Sequence, residues 1–268
     1  MDTTILLAGC GKMGSALLAG WLDRGVPASQ VVVVDPGSAA ADMFAPQGVR
    51  VVADASQIPA DFTPQVVLLA VKPQVMADVA PLYGRFDQAV FLSIAAGKTL
   101  GFFAPLLGDV AVVRAMPNTP TAVSRGMTVC VANDRVSDDQ RHLCQSLLEA
   151  VGQVEWLERE DLMDAVTAVS GSGPAYVFLL AEVMAAAGAK AGLPADLADR
   201  LARATVAGSG ELLRQSNDSA AQLRINVTSP GGTTAAALSV LMNDSRGCAP
   251  LMIDAVAAAV RRGKELAG

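Results

Sequence analysis

Three glycines in the pattern Gly9-x-Gly11-x-x-Gly14 follow the apolar run 4–8 and precede residues 15–24, whose apolar positions recur with a helical period. Glycines at this spacing permit a tight turn and let a diphosphate approach main-chain N–H groups at a helix N-terminus. Asp35 ends the next apolar run, 31–34, about 20 positions beyond the loop, where a carboxylate can accept hydrogen bonds from an adenine ribose. Each feature has a plainer reading: a glycine-rich turn without a ligand, and a turn-forming Asp35-Pro36. The strand–turn–helix context together with Asp35 favours a dinucleotide, NADH or NADPH. Asp35 leans toward NADH, because it would repel a 2′-phosphate and neither Arg24 nor Arg50 is evidently placed to compensate.

A second set of small and hydroxylic residues lies late in the chain. Ser170-Gly171-Ser172-Gly173-Pro174 and Val227-Thr228-Ser229-Pro230-Gly231-Gly232-Thr233-Thr234 each open a stretch with helical character. Such a loop can offer free N–H groups and hydroxyls to an anion. Equally, Ser229 can serve as an N-cap with Pro230 at the first helical position. The four cysteines, Cys10, Cys130, Cys144 and Cys248, are scattered with no metal-type spacing, so no metal site is expected and reduced thiols are the plain reading. The single histidine, His142, lies in a polar stretch and reads as a solvated surface residue.

The elements that must position these residues follow from the apolar pattern. Short runs rich in Val and Leu at 4–8, 31–34, 66–71, 89–94 and 110–114, spaced by helix-length segments, read as parallel strands buried on both faces. Right-handed crossovers turn such strands into a doubly wound sheet. Runs at 127–131 and 153–157 bracket a further helix, opened by Ser137 as cap with Asp138 and Asp139 in its first turn. From residue 161 onward no strand is evident, and Ala-rich helical stretches occupy 174–191, 194–213, 233–242 and 249–266. The reading is an α/β domain over 1–158 followed by an all-α domain over 159–268. So many small apolar residues in the second domain point to oligomerisation.

The chain has 268 residues, 52% of them hydrophobic, and a formal net charge of −6. That balance suits a globular protein and disfavours nucleic acid or an anionic membrane surface as partner. No export signal is evident at the N-terminus, so a cytoplasmic location is expected. The longest uncharged stretches, 165–181 and 225–243, are interrupted by SGSGP and SPGG, and are read as buried interface helices rather than membrane spans.

Five strings together resemble one family. VTSPGGTTAAALSVL (227–241), LAVKP (69–73), SIAAG (93–97), RAMPNTP (114–120) and DAVTAVSGSGPAYVF (164–178) are similar to the signatures of pyrroline-5-carboxylate reductases. They occur in family order and span nearly the whole chain. The resemblance implies a Rossmann-like doubly wound sheet followed by a helical dimerisation domain that interleaves with its partner in a homodimer; in some members dimers assemble into decamers. It implies that Ala8, Gly9, Cys10, Gly11, Lys12 and Met13 line the cofactor, with Ala70, Val71, Lys72 and Pro73 and then Ile94, Ala95 and Ala96. It further implies that Asn226 reaches the cofactor, and that Glu160, Thr233 and Thr234 lie near the bound proline or imine. Lys72 can contact the nicotinamide ribose or merely complete its loop; Tyr176 reads as packing. Three positions depart from the family pattern: Lys12 in the glycine loop, Ile225 where an acid is usual, and Asn217 in place of a common Glu.

The implied reaction is hydride transfer from NADPH or NADH to the C=N bond of 1-pyrroline-5-carboxylate, giving L-proline. Ser229, Gly231, Gly232, Thr233 and the following helix would hold the substrate carboxylate, and the Thr234 hydroxyl would hydrogen-bond the ring nitrogen. A cyclic imine can arrive protonated, so no histidine, lysine or carboxylate need act as proton donor. Two alternatives remain: a related imine or β-hydroxyacid reductase, and a nucleotide-binding homologue without turnover.

Overall fold

The computed structural model of the chain describes residues 3–267. They form two compact units: the chain up to Gly171 together with the segment from Val260, and Ser172–Ala259 between them. Composition changes near residue 158, whereas compactness divides the chain at 171/172. The last segment, expected in the helical half from its Ala-rich pattern, lies with the first unit instead. A Cβ on Gly97 would lie 3.4 Å from the Leu266 carbonyl oxygen, and one on Gly263 would lie 3.1 Å from Asp164 Oδ1.

The first unit is built on eight strands: β1 Ile5–Ala8, β2 Val31–Val34, β3 Arg50–Val52, β4 Val66–Leu69, β5 Val90–Ser93, β6 Val112–Met116, β7 Gly126–Ala132 and β8 Gly152–Trp156. Their order in the sheet is β3-β2-β1-β4-β5-β6-β7-β8. All neighbours are parallel except β6 and β7, which are antiparallel. The helices of this unit are α1 Lys12–Asp23, α2 Ser38–Phe44, α3 Met76–Val79, α4 Leu100–Leu107, α5 Asp138–Leu148 and the single turn α6 Met163–Val166.

Alternation along the strands feeds two cores. Ile5, Leu7, Val31, Val33, Val66 and Leu68 pack with Leu17, Trp21 and Leu147 on one face of the sheet. Leu6, Val32, Val67, Leu69 and Phe91 pack with Tyr83, Phe103 and Leu107 on the other. Because side chains alternate with period 2, strands apolar at every position supply both cores at once. Burying each large side chain stabilises by roughly 1.5–3 kcal/mol, and this fixes the strand ends that carry the loops. Ser137 caps α5 in a reciprocal capping box with Gln140, as its sequence position predicts. His142 is exposed on that helix.

The second unit contains α7 Gly173–Lys190, α8 Ala195–Gln215, α9 Ala220–Asn226, α10 Thr233–Leu241 and the first part of α11 Cys248–Ala267. SGSGP does not interrupt the helical path, contrary to expectation. The path runs through a π-helical stretch, Thr167–Gly171, and Pro174 falls in the first turn of α7, where a missing N–H costs little. The continuous run Glu160–Lys190 is therefore long and apolar enough, by length and composition, to cross a membrane, an 18-residue stretch of it having a mean hydropathy of 1.3. In the single chain the apolar side chains of its α7 part are largely uncovered, Phe178 being 66% and Leu179 56% exposed.

Candidate dinucleotide and substrate sites

The glycine loop begins where β1 ends. Gly9 N–H donates to Val34 O at 2.8 Å, stitching the loop to β2, and Gly9 sits at φ +88°. A Cβ there would lie 2.9 Å from Val71 Cγ1. A Cβ on Gly14 would lie 2.5 Å from the Gly9 carbonyl oxygen, so only glycine lets α1 start this close to the loop. Gly11 differs: a Cβ there would meet nothing within 4 Å, and Gly11 caps α1 without a side-chain hydrogen bond. The N–H groups ahead of Ser15 therefore lack intrahelical acceptors and border open space. Close packing at Gly9 and Gly14 with an open side at Gly11 fits a dinucleotide diphosphate.

Asp35 braces this loop. Its Oδ2 accepts from Cys10 N–H at 2.6 Å and its Oδ1 from Gly37 N–H at 2.8 Å. It also lines a cavity of about 580 Å³ with Gly9, Gly11, Ala53, Asp54, Ala70 and Val71. Lys72 and Tyr83 lie on the same cavity, and burial, with the Asp54 charge adding to it, pushes the Tyr83 phenol up to about 12. Pro73 opens a short 3₁₀ turn after Lys72, and Lys12 and Met13 form the start of α1, Lys12 being exposed. Burial pushes the Cys10 thiol up from its usual range, with nearby Asp35 adding to the effect and a Ser15 hydrogen bond opposing it. Ala8 is buried at the end of β1, where its carbonyl accepts from Ala70 N–H at 2.8 Å.

Ile94, Ala95 and Ala96 follow β5 on the other side of the topological switch between β1 and β4. Ile94 N–H donates to Leu69 O at 3.2 Å, and Ala95 N–H donates to Ser93 Oγ at 3.3 Å. Glu160 lies in the first unit near this segment: its Oε1 accepts from Leu100 N–H and from Arg114 Nη1, each at 2.8 Å. Sequence reasoning did not anticipate that arrangement, since the partners are far apart in the chain. Nor did it anticipate Asn118, whose Nδ2 donates to Ser170 Oγ at 3.2 Å and whose Oδ1 accepts from Met127 N–H at 2.9 Å.

In the second unit, the stretch 229–234 makes a tight turn into α10. Gly232 N–H donates to Ser229 O at 3.0 Å, and Gly231 takes φ +68°. Ser229 is not the helix cap; Gly232 is, with no side-chain hydrogen bond to the first turn. Thr233 and Thr234 are the first two residues of α10, so their N–H groups have no intrahelical acceptors. The Asn226 amide is engaged within its own unit, accepting from Gln222 at 2.7 Å and donating to Asp218 at 3.3 Å. Asn217 and Ile225 are exposed. No cluster of three or more His, Cys, Asp or Glu suited to a metal ion occurs among the described residues.

The sheet order, the glycine loop and its carboxylate define a Rossmann-type dinucleotide-binding protein that also carries a helical unit. Residues 4–97 match the family described as NADP oxidoreductase coenzyme F420-dependent, and 160–266 match the family described as pyrroline-5-carboxylate reductase dimerisation. A pyrroline-5-carboxylate reductase of Synechocystis sp. is 41% identical, over 99% of each chain. The structure of a pyrroline-5-carboxylate reductase from Coxiella burnetii superposes with a TM-score of 0.93 at 35% identity, covering 100% of both chains. That of the Plasmodium falciparum pyrroline carboxylate reductase with NADP bound gives a TM-score of 0.83 at 27% identity, covering 100% of this chain and 99% of that one. The chain belongs to the pyrroline-5-carboxylate reductase family, a family of NAD(P)-dependent oxidoreductases.

Proposed function

We propose that this chain reduces the C=N bond of 1-pyrroline-5-carboxylate with NADPH or NADH, giving L-proline, the last step of proline biosynthesis. The observation that carries the reading is a full-length match, at 41% identity, to a pyrroline-5-carboxylate reductase. A bound nicotinamide supplies the hydride. Gly9, Gly11 and the first turn of α1 would hold the diphosphate of the dinucleotide, and Asp35 would meet its adenine ribose. Ser229, Gly231, Gly232 and Thr233 hold the substrate carboxylate with main-chain N–H groups and hydroxyls. Thr234 Oγ hydrogen-bonds the ring nitrogen as it becomes an amine. Much of the catalysis then comes from positioning two reactants, worth on the order of 7–11 kcal/mol. Adding pyrroline-5-carboxylate to the protein with reduced nicotinamide should discharge the nicotinamide absorbance; no loss of absorbance with either cofactor refutes the reading.

NADH is the proposed preference, supported by the Asp35 carboxylate on the cavity and by the absence of an arginine among that cavity's lining residues. A kcat/KM several-fold higher for NADPH overturns it. The assembly proposed is a homodimer formed through the helical unit, supported by the dimerisation-family match and the uncovered apolar face of α7. A decamer of such dimers and a cytoplasmic location are the finer parts of the same reading.

A further inference from the structure

We propose that Glu160 is a positioning residue, one that fixes the segment 94–99 against the nicotinamide half of the cofactor. The proposal rests on the dinucleotide reading above. The cavity spans the switch point, from Asp35 and Ala53 after β2 and β3 to Ala70 and Val71 after β4, and Asp35, just past β2, marks the end that takes the adenosine half. The other half of a dinucleotide must then cross the carboxyl ends of β4 and β5, where the segment 94–99 leaves the sheet.

Both ends of that segment are tied to Glu160. At its start, Ser93 of β5 stands in register with Arg114 of β6. Arg114 is the one buried charged side chain among the described residues, 5% exposed, and it donates to Glu160 Oε1. At the far end, Thr99 caps α4 by accepting from Phe102 N–H at 3.2 Å, and Leu100 N–H donates to the same Glu160 oxygen at 2.8 Å. A carboxylate at a helix N-terminus is favoured by the helix dipole. One oxygen thus joins β6, the neighbour of β5, to the start of α4, and fixes both ends of the six residues 94–99 that link β5 to α4. A buried guanidinium holds that geometry firmly, because leaving it unpaired is expensive.

The test uses the full chain and two probes, reduced nicotinamide dinucleotide and ADP-ribose, which lacks the nicotinamide. Glu160→Gln should weaken the reduced dinucleotide about tenfold, equivalent to about 1.4 kcal/mol, and leave ADP-ribose within about twofold. Equal losses for both probes, or no loss for either, overturn the proposal. So does a rise in KM for the imine with cofactor affinity and kcat unchanged, which would make Glu160 a substrate ligand. If the single variant folds poorly, Arg114→Met with Glu160→Gln removes the uncompensated charge. Restored thermal stability without restored dinucleotide affinity supports positioning; recovery of both together overturns it. A wild-type chain that binds the dinucleotide but leaves pyrroline-5-carboxylate unreduced retires the functional reading while this comparison still stands.

Discussion

Thr234 and Gly14 do different kinds of work, and their substitutions should separate in the kinetics. Thr234 offers a hydroxyl at the start of α10, beside N–H groups without helical acceptors. On the proposed reading, replacing it by Ala removes the hydrogen bond to the ring nitrogen, so kcat should fall roughly tenfold or more with cofactor affinity intact. Steady-state rates alongside a cofactor titration check this, and an unchanged kcat removes the assigned role. Gly14 contributes only the absence of a side chain. An added methyl would meet the Gly9 carbonyl at 2.5 Å, so Gly14→Ala must push α1 away from the loop. Dinucleotide affinity should drop at least tenfold, about 1.4 kcal/mol; isothermal titration showing wild-type affinity would contradict it. The spacing of the glycines was legible in the sequence because it reflects a local turn. The Arg114–Glu160 tie was not, since no local pattern marks a pair brought together by the order of strands.

Among the elements, the strands apolar at every position were readable, and β3 was missed for the corresponding reason. It has three residues, none fully buried, at the sheet edge, so it lacks the continuous apolar run that marks its neighbours. The reversed direction of β7 was also hidden. The link after β6 is a short 3₁₀ turn ending at Ser124 in the left-handed region, and a short link suits an antiparallel neighbour. In the helical half α9 escaped notice because its sequence, AAQLRIN, has too few apolar positions to set a period. The capping of α5 was fully local and therefore visible. Ser137→Ala should cost about 1 kcal/mol of stability, read as a lower denaturant midpoint with an unchanged slope. No change in midpoint would mean that water or a shifted cap replaces the hydroxyl at no cost.

For the molecule as a whole, the uncovered apolar side chains of α7 set the expected behaviour in solution. Phe178, Leu179 and Val183 are each at least half exposed in the single chain, more apolar surface than a stable monomer usually leaves in water. The melting temperature should therefore rise with protein concentration, and Phe178→Glu should lower the mass found by light scattering or cause aggregation. A monodisperse monomer of the unaltered chain would contradict this. The path of the chain between its units bears on biosynthesis as well. The first unit is discontinuous: residues from Val260 belong to it, and Leu266 rests against the turn at Gly97. During translation, the sheet must therefore wait while the whole intervening helical segment emerges before its last contacts can close. A nascent chain stalled within that segment should hold an early half that is protease-sensitive around Gly97, protected only once the later residues have left the ribosome.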